Sequence, residues 1–369
     1  TWVFTDEIEI WGADGRTAQA KQLPPTHPKY LQPGEATAGI KNMVLLYNGW
    51  YENGAGDWSK EDILPYLSYV DSEGIPQDLL FDGVLMLGLW SPNWRGNFGL
   101  SSRLTDWQWY LQKTFAVEGD LDQLNLAASE TAEALELDDY KTKVVLAIPY
   151  PYPDQTNFGD VDGDGVSENF SAAQVGEAAA LANQQKAVDW YIDELLSRWN
   201  SKQYAHLTLG GLYWISEGAS SDAVEEGIIQ YTSSVVHGEG LKFFWIPYFF
   251  GNRGYDWEAL GFDAAVLQPN HFFDGTPAYR VQDAAQLAKQ YGMGVEMEFD
   301  ERMNSDPAFK QRYMDYLNGG IDYGYMTGAF KAYYQGNYSV LQAAQSEDPE
   351  VRRNYDLLYQ FIQGTYVKQ

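Results

Sequence analysis

The chain has 369 residues, 45% of them hydrophobic, no cysteine and a formal net charge of −28. That length suits one large barrel with an N-terminal extension better than two unrelated domains, and zero cysteine excludes disulfides, zinc–thiolate centres and a cysteine nucleophile. The charge repels nucleic acid and anionic membrane surfaces, and no apolar run of about 18 residues is present to cross a bilayer.

Residues 1–40 are rich in Pro, Gly and charge and read as an irregular extension packed on the barrel, with one strand at VFTDEIEIW (3–11). From residue 41 to 369, apolar strand-like runs alternate with helical patterns. The runs are 42–50, 81–90, 143–150, 207–216, 242–250, 264–270, 292–299 and 323–330. They are nearly continuous in apolar residues, as expected of parallel strands covered on both faces. Helical patterns are expected over 60–70 (with Pro65 inside), over 171–204 with Ser171 as cap, and over 223–236, 279–292 and 306–320. A last helix over 350–369 closes the chain. Eight β–α repeats predict the α/β class and a (β/α)8 TIM barrel. An open doubly wound sheet is the alternative, but no glycine-rich phosphate turn follows the first run.

In a barrel, the C-terminal strand ends carry the chemistry. The fourth run ends at Glu217, and the seventh carries Glu296, Glu298 and Asp300. Side chains alternate along a strand, so Tyr213, Ile215 and Glu217 share one face, and the three strand-seven acids share another. Buried carboxylates are costly unless paired or hydrogen-bonded. A salt-bridge ring with Arg280 or Lys331 is the structural explanation. The functional one is a pair of carboxylates for glycosidic bond cleavage. There Glu217 serves as general acid, its carboxyl pushed up by the apolar YWIS stretch before it. Glu298, nearer the strand end, serves as nucleophile or base. Glu296 lies one layer, about 6.6 Å, deeper, to orient Glu298 or grip a hydroxyl.

A second motif is GDVDGDGVSEN. Asp160, Asp162, Asp164, Gly165, the Val166 carbonyl and Glu168 match the first nine positions of a calcium loop, while Ser171 stands where a bidentate glutamate belongs and Glu177 is a distant substitute. The loop follows the third strand, so a structural Ca2+ is expected on the catalytic face; no organic cofactor is expected.

Polar and aromatic residues recur at strand ends: Asn48, Trp50, Trp90, Trp94, Tyr150, Tyr248, Gln268, Asn270, His271 and Tyr333, with Tyr213 inside the fourth strand. Together they describe a cleft that stacks on sugar rings and bonds hydroxyls. No serine-hydrolase elbow, zinc-protease helix or P-loop is present.

The segments LLYNGWY, LYWISE, FFWIPYF, GFDAAVLQPN, GVEMEFD and the terminal YQFIQGTY resemble the bacterial family known as domain of unknown function 4855, over residues 1–367. The resemblance implies a barrel-fold, carbohydrate-active group in secreted or cell-surface bacterial proteins. Glu217, Gln268, Asn270, Glu296 and Glu298 fall on its motif positions. A monomeric glycoside hydrolase acting on a bacterial or environmental polysaccharide is therefore expected. Acid on strand four and nucleophile on strand seven resemble the large retaining glycosidase clan. Ser216 stands where that clan carries Asn before the acid, so inversion stays open beside retention. A non-catalytic carbohydrate-binding barrel of a surface or secreted complex is the alternative.

Overall fold

A strand that is apolar on both faces needs cover on both, and a ring of helices outside a closed sheet provides it. The computed structural model describes residues 28–273 and 276–369. Eight strands pair in parallel and close: β1 (Asn42–Tyr47), β2 (Gly83–Leu87), β3 (Thr142–Ile148), β4 (Leu207–Trp214), β5 (Lys242–Trp245), β6 (Ala264–Leu267), β7 (Gly294–Glu298) and β8 (Lys331–Tyr334). Each pairs with the next in sequence, and β8 returns to β1. The protein is an α/β barrel of the expected type.

Strand alternation sets the interior. Leu45 and Tyr47 of β1, Leu87 of β2, Tyr213 of β4, Glu296 and Glu298 of β7 and Tyr334 of β8 all face one central cavity. Tyr334 is level with Glu298, and Ala332 with Glu296. Below them Phe244 and Phe330 meet with ring centroids 6.1 Å apart. Gly211 makes room for the Phe244 ring, since a Cβ there would lie 2.5 Å from it. The opposite parity faces the helices: Trp245 stacks on Phe262 at 4.8 Å.

The part of the extension that is described, residues 28–40, crosses the N-terminal end of the barrel. Leu31 bonds the backbone of Met293 and Phe330, and Ile40 packs against the bare face of Gly83. The strand expected at 3–11 lies outside the described residues. At the other terminus, helix Pro349–Ile362 closes the chain, with Tyr355 Oη donating to the carbonyls of Pro65 and Ser68.

Four expectations are corrected or completed. The eighth strand is Lys331–Tyr334, not 323–330; Gly324 takes a left-handed φ of 82° and starts a helical turn, Tyr325–Gly328, instead. Lys331 had disguised the strand, because a buried lysine breaks the apolar run. Helices Leu104–Thr114 and Asp120–Ala134 fill the connection between β2 and β3, for which the eightfold repeat implied a helix but no segment was assigned. The long helix after β3 is broken at Gly176 (φ 86°) into Ala172–Val175 and Glu177–Lys202, and the Ser171 side chain caps neither. The first helix stops at Leu67 rather than 70, and Ser68–Val70 pairs instead with Pro76–Leu79 as an antiparallel ribbon.

Candidate active site

Three carboxylates converge on the central cavity, which has an empty volume of about 390 Å³ including its mouth. Glu296 and Glu298 are buried on β7. Glu217 lies three residues beyond β4 and is exposed at the cavity mouth. Its backbone is held from the β5 loop: Tyr248 N–H donates to the Glu217 carbonyl at 3.3 Å, and Gly251 permits the approach, since a Cβ there would lie 2.6 Å from that oxygen. Trp245 Nε1 donates to the Ser216 carbonyl at 2.6 Å and fixes the turn before it.

The environments differ. Glu298 receives three donors. Tyr316 Oη, from helix Pro307–Asp322, and His271 N–H at 3.2 Å both reach Oε2, and Asn270 Nδ2 reaches Oε1 at 3.3 Å. Asn270 adopts a left-handed φ of 54°, which asparagine tolerates better than most residues. That turn aims its amide at both Glu298 and Gln268 Oε1, while its own Oδ1 takes the Phe249 N–H. Burial pushes Glu298 up to about 7; the three donors work against it, and the neighbouring Glu217 adds to the rise. Glu296 receives no hydrogen bond among the described residues. Burial first, then the charges of Glu298 and Glu217, hold it well above the usual carboxylate range. Glu217 is raised by the surrounding cavity walls, although its carboxyl meets solvent, and Gln268 pulls it down.

Neither Arg280 nor Lys331 joins these acids. Arg280 lies over the Phe249 ring at 4.0 Å. Lys331 points out of the barrel, where its Nζ donates to the carbonyls of Met326 and Ala329, each at 2.9 Å. Asp300 has left the strand and accepts the Arg302 N–H as a helix cap.

Of the residues expected to bind substrate, Tyr213 and Gln268 line the cavity, and Asn270 reaches it through Glu298. His271 contributes its backbone N–H, while its ring turns away to Asp315 Oδ2 at 2.9 Å. Trp50, Trp90 and Trp94 form a shelf beyond the ends of β1 and β2. Trp94 is 50% exposed and stands edge-on to Trp50 and Trp90, with centroids 5.1 and 5.4 Å apart. Tyr248 is exposed beside Gly218.

Three others are structural, which corrects the expectation. Asn48 is buried outside the cavity, bonding Thr114 Oγ1, Asp120 Oδ2 and the Tyr110 hydroxyl. Tyr150 points to the helices, where its hydroxyl donates to Glu225. Tyr333 lies within β8 on its outer face, fully buried, and donates to Asn42 Oδ1 at 2.9 Å. Tyr334 is the inward residue of that pair. Tyr47, Tyr316 and Phe273 at the site were not expected. Alternation from a correctly placed β8 would have chosen Tyr334 over its neighbour Tyr333; nothing in the sequence marks Tyr316.

The acidic loop after β3 brings Asp160, Asp162 and Asp164 together, with ligand oxygens within 4.8 Å of one another. Asp160 accepts the N–H groups of Gly163 and Gly165, and Asp164 that of Val166. Glu168 does not join the trio. Its Oε2 takes the Val161 N–H, and Lys186 stands between it and Asp162. The Val166 side chain and Glu177 are exposed.

Fold and cavity thus define a (β/α)8 barrel with a carboxylate-lined centre. The sequence matches the family described as Domain of unknown function (DUF4855) over residues 42–360, and the chain belongs to that family. No curated protein matches. Solved structures with a similar fold include the catalytic domain of a family GH18 chitinase from the fern Peteris ryukyuensis. It has 13% identity and a TM-score of 0.40, and the match covers 86% of this chain and 98% of that one. A GH30 endoxylanase from Clostridium papyrosolvens has 9% identity, a TM-score of 0.41 and coverage of 92% and 73%. A mutant tryptophan synthase α-subunit from Pyrococcus furiosus has 9% identity, a TM-score of 0.36 and coverage of 88% and 98%. At these identities the likeness concerns the fold alone.

Proposed function

We propose that this protein is a glycoside hydrolase acting on a bacterial or environmental polysaccharide. The observation that carries the reading is the contrast between two acids on one cavity: Glu298 fixed by three donors, and Glu217 held at the mouth with no cationic partner among the described residues. Glu217 delivers its proton to the glycosidic oxygen as the C1–O bond breaks. Glu298 either attacks C1, to be displaced later by water that Glu217 deprotonates, or takes a proton from the water that attacks. The donors to Glu298 suit a carboxylate that must stay ionised and aimed, and retention is the favoured outcome. The tryptophan shelf suits stacking of further sugar rings beyond the cavity. A sugar-binding barrel without catalysis would use the same shelf, but it gives no role to the donors on Glu298.

The test is Glu217→Gln and Glu298→Gln, assayed against a glycan panel. Each is expected to lower kcat by about 10²–10⁴-fold or more, with folding unchanged. Full turnover in both variants would sink the assignment. The acidic loop is proposed as a structural calcium site held by Asp160, Asp162, Asp164 and the Val166 carbonyl. The ion would neutralise the aspartates and tie the loop above the barrel mouth; Glu168 could join only by releasing Lys186. A secreted or cell-surface location and a monomeric state complete the reading, and sedimentation of the purified chain checks the latter.

A further inference from the structure

We propose that the cavity takes a sugar bearing a free, unacetylated amino group, and that Glu296 receives its ammonium. This rests on the glycoside-hydrolase reading for where the sugar sits, but it concerns recognition rather than cleavage.

Glu296 is 3% exposed, faces the cavity, and has no hydrogen-bond donor from the described residues. A carboxyl in that position either keeps a proton or waits for a partner. The titratable groups that face it are the acids Glu298 and Glu217 and the hydroxyls of Tyr47, Tyr213 and Tyr334; none is a cation. No lysine, arginine or histidine lines the cavity among the described residues. The nearby cations are engaged elsewhere. Arg280 lies on Phe249, Arg312 donates to the carbonyls of His271 and Phe273, and Arg302 pairs with Asp300. The His271 ring is on Asp315. Three carboxyls without a counter-charge disfavour uronate, sulfated or phosphorylated sugars. Catalysis needs one of the three ionised and one protonated, which leaves Glu296 over. An ammonium on the sugar ring supplies the missing charge and the missing donor at once. The net charge of −28 also draws cationic glycans toward the protein.

Binding should therefore displace the Glu296 proton to solvent. The experiment is calorimetry near pH ~6, in two buffers of different ionisation enthalpy, on Glu217→Gln so that turnover does not intrude. The probes are short glucosamine and galactosamine oligosaccharides, their N-acetylated forms and their hydroxyl counterparts. Amino oligosaccharides are expected to bind about ten- to a hundred-fold tighter than either comparison set, releasing up to about one proton per site. Adding the isosteric Glu296→Gln should abolish the proton release and level the preference. Equal or tighter binding of the neutral forms overturns the proposal. So does amino-sugar binding without proton release, a preference that survives Glu296→Gln, or no binding of any probe. Amino-sugar preference without cleavage by the native protein would defeat the hydrolase reading and leave this one standing; cleavage of neutral glycans with no such preference would do the reverse.

Discussion

Tyr316 offers the sharpest test of how Glu298 is tuned. Its ring is buried, its hydroxyl donates to Glu298 Oε2, and that hydroxyl also accepts the His271 N–H at 3.2 Å. Tyr316→Phe keeps the ring and deletes the donor. A hydrogen bond to a charged group contributes about 1.5–3 kcal/mol, and 1.36 kcal/mol corresponds to one pH unit. The variant should therefore move Glu298 from about 7 upward by about one to two pH units. If Glu298 acts ionised, the acid limb of kcat/KM moves alkaline by that amount. Activity near pH ~6 falls by roughly ten-fold or more, and the deficit narrows as pH rises until the general acid Glu217 loses its proton. Glu298 can also be followed directly by the carbon-13 shift of its carboxyl across pH, which needs no substrate. Tyr313→Phe is the control: Tyr313 is on the same helix, and its hydroxyl donates to the Asn354 carbonyl. It should cost about 1 kcal/mol of stability and leave the limb in place. An unmoved acid limb in Tyr316→Phe, with a loss equal at every pH, would make Tyr316 a packing residue and refute the reasoning.

Three further outcomes are expected. Burial raises Glu225 from 4.5 to about 7 despite its bond from Tyr150. A carboxyl raised on folding contributes stability that is full below its unfolded value and is lost as pH climbs through the folded one. Denaturant melts should therefore weaken by about 3 kcal/mol from this group between pH ~4 and ~8, and Glu225→Gln should remove that part of the slope; an unchanged slope would count against it. Asn48→Ala strips partners from buried Asp120 and Tyr110 and should cost about 2–4 kcal/mol, with KM for any substrate unaltered; a KM change would return Asn48 to the site. Chelation should lower Tm by a few degrees and added calcium should restore it; a Tm indifferent to both would remove the metal from the acidic loop.

The barrel was legible because its strands are apolar on both faces and bounded by turn residues, a pattern that few other folds demand. Six of the eight strands lie within the runs that pattern marks, and a seventh, Thr142–Ile148, begins one residue before its run. The eighth failed for a physical reason: Lys331 is buried by giving its ammonium to backbone carbonyls, so the strand lacks the apolar signature while the helical turn before it carries one. The helices at Leu104–Thr114 and Asp120–Ala134 were hidden by their mixed faces, which bury Asp106 and Asp120 alongside Trp107 and Leu121. Buried aspartates are legible only once Arg95 and Lys113 are known to meet them.

At the site, alternation was decisive where the strand itself was certain. Glu296 and Glu298 are two residues apart on β7, so both had to face the same way, and the closed sheet made that way inward. Position at a strand end, by contrast, says nothing about side. Tyr333 and Tyr334 are neighbours, yet one lies against Asn42 outside the barrel and the other stands level with Glu298 inside it. Asn48 and Tyr150, past the ends of their strands, were drawn outward by buried Asp120 and Glu225. A polar residue beside a strand end goes wherever an unpaired buried group needs it, and only the folded chain shows where those are. Glu296 is the counter-case: it is buried, and no donor of the described residues comes to it. Glu225 also leaves one oxygen unpaired, but its other oxygen takes the Tyr150 hydroxyl; Glu296 has neither oxygen met by the described residues and faces an open cavity, which suits a ligand.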